Sequence, residues 1–398
     1  MKLTQRIARV KPSPTLAIDS KAKAMKAEGI DVVGFGAGEP DFDTPDHIKQ
    51  AAIDALKAGK TKYTPVGGVN ELKDAIIAKL KRDNHLTYTR DEVLVSCGGK
   101  HSLYNLAQVL FEAGDEVLIP APYWVSYPDQ VLLNDATPVI VQTLEKNGFK
   151  ITAQELEKAI TPKTKAFILN SPSNPTGSAY SKKELEALAE VLVRKNVLCI
   201  SDEIYEKIIY DGFQFTSIAS LNDAIKKITF TVNGASKVYS MTGWRMGYVA
   251  GPVEVIKAAT KLQGQVTTNI ATATQWACVE ALNGSQEFLK TWVTEFKNRR
   301  DYILSRFAAI PQVTCYKPEG AFYVFPNLNA YLGKKSPEGK TLSTDTELAD
   351  YLLEKHLVAV VAGSGFGAPG FVRLSYATSM QNIEKGLDRI AKGLRDLG

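Results

Sequence analysis

The sequence predicts an α/β fold in which helices cover a mostly parallel β-sheet, followed by a smaller α+β domain. From about residue 45 to 295, short apolar runs alternate with helical patterns, which is the order expected of repeated βαβ units. After residue 300 the pattern changes, because strand-like runs precede a closing helix. The chain has 398 residues, enough for about two domains with a sizeable core.

Four short apolar runs are the main strand candidates of the larger domain, at residues 116–119, 138–141, 167–169 and 197–200. The amphipathic pattern at 182–192 lies between the last two and predicts a helix that crosses over the sheet. A strand–helix–strand order joins parallel strands, so most of the sheet is expected to be parallel.

The C-terminal part is expected to form a second layer. Residues 320–325 and 371–376 predict two strands, and residues 384–394 predict a closing helix. The polar segment 333–340 is expected to be a solvated loop without a function of its own.

Composition and charge restrict the class of protein. Apolar residues make up 44% and charged residues 23%, as in ordinary soluble globular proteins. The net charge of +5 is mild and no basic run stands out, so nucleic acid is not expected as the main partner. The N-terminus shows no apolar signal region, and no stretch approaches the roughly 20 apolar residues of a membrane-spanning helix.

The cysteines indicate a reducing compartment. Cys97, Cys199, Cys278 and Cys315 are far apart in the chain, and none stands at metal-ligand spacing. We therefore expect reduced thiols in a cytoplasmic protein that has no metal site.

The motif Ser236-Lys237, followed eight residues later by Arg245, gives the strongest chemical signal. It comes just after the apolar run 228–230, so the lysine is expected at the C-terminal edge of a strand, where open α/β sheets bind ligands. A shielded lysine loses its proton and becomes a nucleophile toward an aldehyde. An arginine binds a phosphate with two parallel hydrogen bonds. An aldehyde and a phosphate together describe pyridoxal phosphate.

Three more segments supply what that cofactor needs. Asp202 ends an apolar run, and its carboxylate can keep a pyridine nitrogen protonated, while Tyr205 can donate to the phenolate oxygen of the ring. Asn174 lies in a loop that two prolines and a glycine constrain. Gly98-Gly99 predicts a turn before a helix, which points free backbone N–H groups at an anion.

Taken singly, each motif has an ordinary explanation: a surface lysine, a βα turn, acids at a helix N-terminus, or an Asn-Pro turn. The joint pattern is harder to explain that way, because all four follow strand-like runs. Two X–Pro bonds beside the proposed ring contacts, Ala121-Pro122 and Asn174-Pro175, are predicted to be cis.

The order of these motifs resembles that of class I, fold-type I pyridoxal-phosphate aminotransferases, in particular the bacterial and plastid aspartate aminotransferase branch (subgroup beta). The similarity covers essentially the whole chain. The matching segments are Lys11-Pro12-Ser13-Pro14-Thr15, Ala37-Gly38-Glu39-Pro40-Asp41-Phe42, Ser171-Pro172-Ser173-Asn174-Pro175-Thr176-Gly177, Ser201-Asp202-Glu203-Ile204-Tyr205 and Val372-Arg373-Leu374-Ser375-Tyr376-Ala377.

The resemblance implies a three-layer fold and three segments: an N-terminal arm with part of the small domain (1–44), a large cofactor-binding domain (45–295) and the rest of the small domain (296–398). The boundary near residue 300 is expected inside a long helix. The implied activity is ping-pong transfer of an amino group between L-aspartate and 2-oxoglutarate by a homodimer. Some members also convert prephenate to arogenate.

The resemblance also assigns roles to residues around the cofactor ring. Lys237 would bind the cofactor covalently and move the proton of the substrate Cα. Asp202 would pair with the pyridine nitrogen, Tyr205 and Asn174 would bracket the phenolate oxygen, and Trp124 would stack on the ring. Taken without the resemblance, Trp124 is an ordinary core tryptophan.

The phosphate and the substrate have further implied partners. Gly99, the Lys100 backbone, Ser236 and Arg245 would hold the phosphate, together with Tyr63 from the other subunit. Arg373 and Gly38 would bind the α-carboxylate, with Trp124 and Asn174 nearby, and Lys100 would bind the distal carboxylate. Lys11 and Thr15 match positions that the family ties to prephenate.

Three alternatives belong to other classes. An alanine, aromatic or kynurenine-type transaminase, or a lyase, would use the same scaffold with a neutral pocket, against which Lys100 argues. The aminotransferase-like module of a transcription regulator would need a longer N-terminal region. A dinucleotide-binding dehydrogenase is rejected because Gly34-x-Gly36-x-Gly38 runs into Glu39-Pro40, which does not open a helix.

Overall fold

The computed structural model describes residues 3–398. Its strands are β1 (Val33–Gly34), β2 (Val93–Ser96), β3 (Glu116–Ala121), β4 (Thr137–Gln142), β5 (Thr164–Asn170), β6 (Leu198–Asp202), β7 (Thr229–Gly234), β8 (Gly247–Ala250), β9 (Tyr323–Val324), β10 (Val358–Ala359), β11 (Val361–Ala362) and β12 (Val372–Ser375). Its helices are α1 (Gln5–Ala8), α2 (Pro14–Ala27), α3 (Asp46–Lys57), α4 (Asn70–Asn84), α5 (Gly99–Leu110), α6 (Ser126–Leu132), α7 (Ala153–Ala159), α8 (Lys182–Lys195), α9 (Asp223–Lys226), α10 (Val253–Val266), α11 (Thr272–Asn283), α12 (Phe288–Ala308), α13 (Asp345–His356) and α14 (Met380–Arg395).

A seven-stranded sheet forms the centre of the molecule, in the order β2-β8-β7-β6-β5-β3-β4. β8 is antiparallel to both of its neighbours, and the other pairs are parallel. Helices pack on both faces and bury Val, Ile, Leu and Phe side chains between them and the sheet. The predicted α/β class and the predicted strands of this sheet are confirmed.

The C-terminal part forms a separate core around the antiparallel sheet β11-β12-β9 and helices α12, α13 and α14. β1 pairs with β10, so the N-terminal segment joins this core. The helix at Phe288–Ala308 spans position 300, where the sequence predicts a boundary inside a helix.

The strand predicted at 320–325 is too long. Only Tyr323–Val324 is a strand, because Ala321 has a φ of 57°, in the left-handed region, and interrupts the extended backbone. The carbonyl oxygen of Ala321 accepts hydrogen bonds from the hydroxyls of Tyr210 and Tyr376, which hold this turn in place.

Both predicted cis peptide bonds, Ala121-Pro122 and Asn174-Pro175, are confirmed, and Ser171-Pro172 is also cis.

Within residues 3–398, no helix combines the length and the apolar character that crossing a membrane requires.

Candidate active site

A cavity of about 280 Å³ opens at the C-terminal edge of the large sheet, where β6 ends at Asp202 and β7 runs into the turn that contains Lys237. All but two of the residues predicted from the sequence line it. They are Thr15, Gly38, Gly99, Lys100, Trp124, Asn174, Asp202, Tyr205, Ser236, Lys237, Arg245 and Arg373.

The two exceptions are Tyr63 and Lys11. Tyr63 lies on the surface with 89% of its area exposed, away from the cavity of its own chain. Lys11 lines a neighbouring groove beside Asp129. The structure therefore does not bring these two residues together with the others within one chain.

The amine of Lys237 is held at the wall of the cavity. Its Nζ donates a hydrogen bond to the carbonyl oxygen of Gly38. Burial lowers the pKa of Lys237 to about 8; the charges of Arg373 and Arg245 also lower it, and the nearby Glu39 opposes this shift. At pH 7, about one tenth of this amine is therefore uncharged and nucleophilic, far more than for an ordinary lysine.

Asp202 has a partner that sequence reasoning missed. The hydroxyl of Tyr127 donates to Asp202 Oδ2 at 2.7 Å, and the N–H of Ile204 approaches Oδ1 at 3.3 Å. Burial raises the pKa of Asp202 to about 6, and the hydrogen bond from Tyr127 opposes that rise. The only sequence signal was the spacing of Tyr127 three residues after Trp124, at the start of α6; the two rings meet edge to face at 5.3 Å.

The turn between β2 and α5 forms an anion-binding cradle. Gly98 has a φ of 85°, and α5 begins at Gly99 with its free N–H groups toward the cavity edge. A side chain at position 98 would collide with the guanidinium of Arg245. Arg245 is itself anchored, since Nη1 donates to the carbonyl of Thr242 at 2.7 Å. Ser236 is buried at the same edge.

Arg373 is a buried cation whose hydrogen bonds within residues 3–398 reach no carboxylate. Only 2% of the residue is exposed; Nη1 donates to Asn174 Oδ1 at 3.0 Å and Nη2 donates to the carbonyl of Gly36 at 2.7 Å. Its Nε finds no hydrogen-bond partner within residues 3–398. A buried guanidinium that is held only by neutral oxygens is suited to an incoming carboxylate.

Lys100 and Trp124 lie next to each other in the wall of the cavity. Lys100 Nζ lies 4.8 Å from the centre of the Trp124 ring, and burial together with Arg245 lowers the pKa of Lys100. Tyr323, which sequence reasoning did not include, also lines the cavity, and its hydroxyl is 2.8 Å from that of Tyr205.

These residues fit pyridoxal phosphate. A partly neutral lysine suits its aldehyde, a buried carboxylate suits its pyridine nitrogen, and an N–H cradle with an arginine suits its phosphate. The buried guanidinium with a free Nε offers a separate place for a carboxylate. The fold and the site are those of an α/β enzyme suited to an aldehyde cofactor that carries a phosphate.

Comparison with known proteins gives the family. The model of the family described as "Aminotransferase class I and II" matches residues 30–390, and this chain belongs to that family, whose members use pyridoxal phosphate. An aspartate aminotransferase of Geobacillus stearothermophilus is 52% identical over 98% of both chains. A probable aspartate/prephenate aminotransferase of Rhizobium leguminosarum bv. phaseoli is 49% identical over 98% of both chains. The crystal structure of the aspartate aminotransferase from Rhizobium meliloti superposes with a TM-score of 0.96, at 47% identity over 100% of both chains.

Proposed function

We propose that this enzyme transfers an amino group between L-aspartate and 2-oxoglutarate, giving oxaloacetate and L-glutamate in two half-reactions. The observation that supports it most directly is that Arg373 and Lys100 line one cavity together with Lys237. With Arg245 assigned to the cofactor phosphate, these two remaining cations match the two carboxylates that all four of these compounds have. The names of the similar proteins agree with this substrate class.

The residues act as follows in this proposal. Arg373, held by Asn174, binds the α-carboxylate and orients the substrate. The neutral amine of Lys237 would take the proton from the substrate Cα and deliver it to the cofactor carbon. Asp202 keeps the pyridine nitrogen protonated, and Gly99, Ser236 and Arg245 hold the phosphate. When bound, the cofactor supplies an electron sink that stabilises the negative charge on Cα.

A single-turnover absorbance assay against a panel of amino acids and oxo acids tests this function. We expect fast turnover with aspartate, glutamate and their oxo acids, and slow turnover with alanine and phenylalanine. Fast turnover with alanine or phenylalanine and none with aspartate would contradict the aspartate assignment and favour the alanine or aromatic transaminase.

Lys100→Ala tests the distal carboxylate site. We expect kcat/KM for aspartate and glutamate to fall by the value of a charge-assisted hydrogen bond, about 1.5–3 kcal/mol or roughly 10- to 150-fold. The values for alanine and phenylalanine should change little. Lys340→Ala, in an exposed loop, is the matched control. An equal loss for acidic and neutral substrates would show that position 100 serves only the phosphate turn.

Prephenate is a second candidate acceptor, which Thr15 favours because it lines the cavity from α2. Arg373 would take the carboxylate of the oxo-acid group and Lys100 the ring carboxylate. Lys11 lies in the neighbouring groove and would have to approach from there. A direct arogenate assay decides, and no product from a preparation that is active on aspartate would remove this candidate.

We also propose a cytoplasmic homodimer with a large domain (45–295) and a small domain made of residues 1–44 and 296–398. The exposure of Tyr63, with Ile53 and Leu56 exposed on α3, supports a second copy against this face. The four free cysteines support a reducing compartment.

A further inference from the structure

Tyr323 contacts two residues of the proposed site: Tyr205, which is assigned to the cofactor, and Arg373, which is assigned to the substrate carboxylate. Its hydroxyl lies 2.8 Å from the hydroxyl of Tyr205, which the proposed function assigns to the cofactor oxygen. Its ring lies under the guanidinium of Arg373, with the central carbon 4.7 Å from the ring centre. One buried side chain thus touches the groups proposed for the cofactor and for the substrate carboxylate.

The backbone holds this ring firmly. Tyr323 is the first residue of β9 and pairs with Ser375 of β12, two residues after Arg373. The preceding turn is fixed because the N–H of Ala321 donates to Ile208 O at 2.9 Å and its carbonyl accepts from two tyrosine hydroxyls. The ring is therefore rigid, and the freely adjustable part of Tyr323 is the direction of its O–H bond.

The Tyr323 hydroxyl lies close to the Gly38 backbone, and both residues line the cavity. Gly38 has no side chain, and a Cβ there would lie 3.1 Å from the Tyr323 hydroxyl. A carboxylate bound to Arg373 near the Gly38 backbone would arrive within reach of the hydroxyl and compete with Tyr205 for its hydrogen bond, because a charged acceptor is stronger than a neutral one.

We propose that Tyr323 is a positioning residue whose hydroxyl switches from Tyr205 to the substrate carboxylate when Arg373 is occupied. This inference rests on the proposed function. In the proposal, Tyr205 donates its proton to the cofactor oxygen, so without substrate the hydrogen bond between the two hydroxyls runs from Tyr323 to Tyr205 and makes the Tyr205 phenol a stronger donor. With substrate bound, Tyr323 no longer donates to Tyr205, and Tyr205 becomes a weaker donor to the cofactor oxygen. Binding at the carboxylate site therefore changes the electronic state of the cofactor before any bond breaks.

The test uses the holoenzyme and a pH titration of its cofactor absorbance, with and without maleate, a dicarboxylate that has no amino or oxo group. In the wild-type protein, maleate should raise the apparent pKa of the bound cofactor. Tyr323→Phe should raise it without maleate by about 0.4 to 1, as expected for the loss of one hydrogen bond, and should shrink the further rise with maleate.

A double-mutant cycle shows whether the effect passes through Tyr205. In a Tyr205→Phe background, adding Tyr323→Phe should leave the apparent pKa unchanged. Tyr323→Leu separates the ring from the hydroxyl, because it also removes the stacking on Arg373 and should weaken maleate binding more than Tyr323→Phe does.

Two results would overturn the inference: the same maleate response in Tyr323→Phe as in the wild type, or additive effects of the two Tyr→Phe changes. Both leave the proposed function intact. If the wild-type protein binds cofactor but gives no response to maleate, the dicarboxylate assignment itself fails, and the proposed switch fails with it.

Discussion

We expect the protonation state of Lys237 to control the rate at which this enzyme binds its cofactor covalently. With a pKa of about 8, the neutral fraction of the amine rises from about one tenth at pH 7 to about half at pH 8. We therefore expect the rate of covalent cofactor capture, followed by absorbance, to rise about fivefold over this interval and to level off above pH 9. Borohydride should then fix the cofactor on Lys237, as mass spectrometry of the digested protein would show. A pH-independent rate or an adduct on another lysine would contradict this assignment.

Tyr127 is predicted to keep Asp202 ionised. Tyr127→Phe removes the 2.7 Å hydrogen bond, so the pKa of Asp202 should rise further and more of the carboxyl should be protonated at pH 7. We expect cofactor affinity to fall by about tenfold at pH 7, which is the low end for a hydrogen bond to a charged group, and to fall less at pH 8.5. Equilibrium dialysis at the two pH values measures the cofactor affinity of each variant.

The control for that change is Tyr331→Phe. It removes a hydroxyl that donates to Pro311 O at 2.8 Å in the C-terminal part of the chain, away from the cavity. An equal loss of cofactor in both variants would indicate a general effect on stability and would remove the role of Tyr127.

A buried polar cluster connects α4 to the ends of β6 and β7. Lys79 and Asn84, both in the last turns of α4, bind each other at 2.7 Å, and both bind the carboxylate of Glu206. Asn233 of β7 donates to the same carboxylate at 2.9 Å. Because Glu206 follows Tyr205 directly, the cluster supports the loop that presents Tyr205 to the cavity.

Breaking this cluster on one side should be costly. Lys79→Met leaves the carboxylate of Glu206 buried without its cation, since the two side chains are only 4% and 3% exposed, and should lower the free energy of unfolding by about 3–5 kcal/mol. The double variant Lys79→Met with Glu206→Leu should recover most of that loss. Chemical denaturation measures both, and a double variant as unstable as Lys79→Met would show that the charge is not the cause.

Prediction from the sequence succeeded where local pattern and function coincide. The apolar runs before Asp202 and Lys237 became β6 and β7, and the parallel arrangement brought both residues to one edge. Tyr127 was missed because its partner is 75 residues away, so no local spacing reports the contact. In the sequence, Lys79 looks like a surface lysine on an amphipathic helix. Its burial is explained only by its contact with Glu206, which lies 127 residues later in the chain.

In the proposed dimer, Tyr63 is the residue by which two subunits would share one site. A mixture of Lys237→Ala and Tyr63→Ala chains would form hybrid dimers in which one site has both residues intact. If each parent dimer is nearly inactive and assembly is random, we expect about one quarter of wild-type activity after co-refolding. No recovery above the parents would show that Tyr63 serves its own chain or no site at all.

The charges that converge on the cavity also affect how fast ligands arrive. Four cations, Lys100, Lys237, Arg245 and Arg373, line this cavity, against two acids, Asp19 and the buried Asp202. A concave surface with one dominant sign focuses the field and attracts anions from a distance, an effect that salt screens over about 10 Å at 0.1 M ionic strength. The second-order rate of dicarboxylate binding should therefore fall as ionic strength rises, and inorganic phosphate should slow cofactor uptake more than chloride at the same ionic strength.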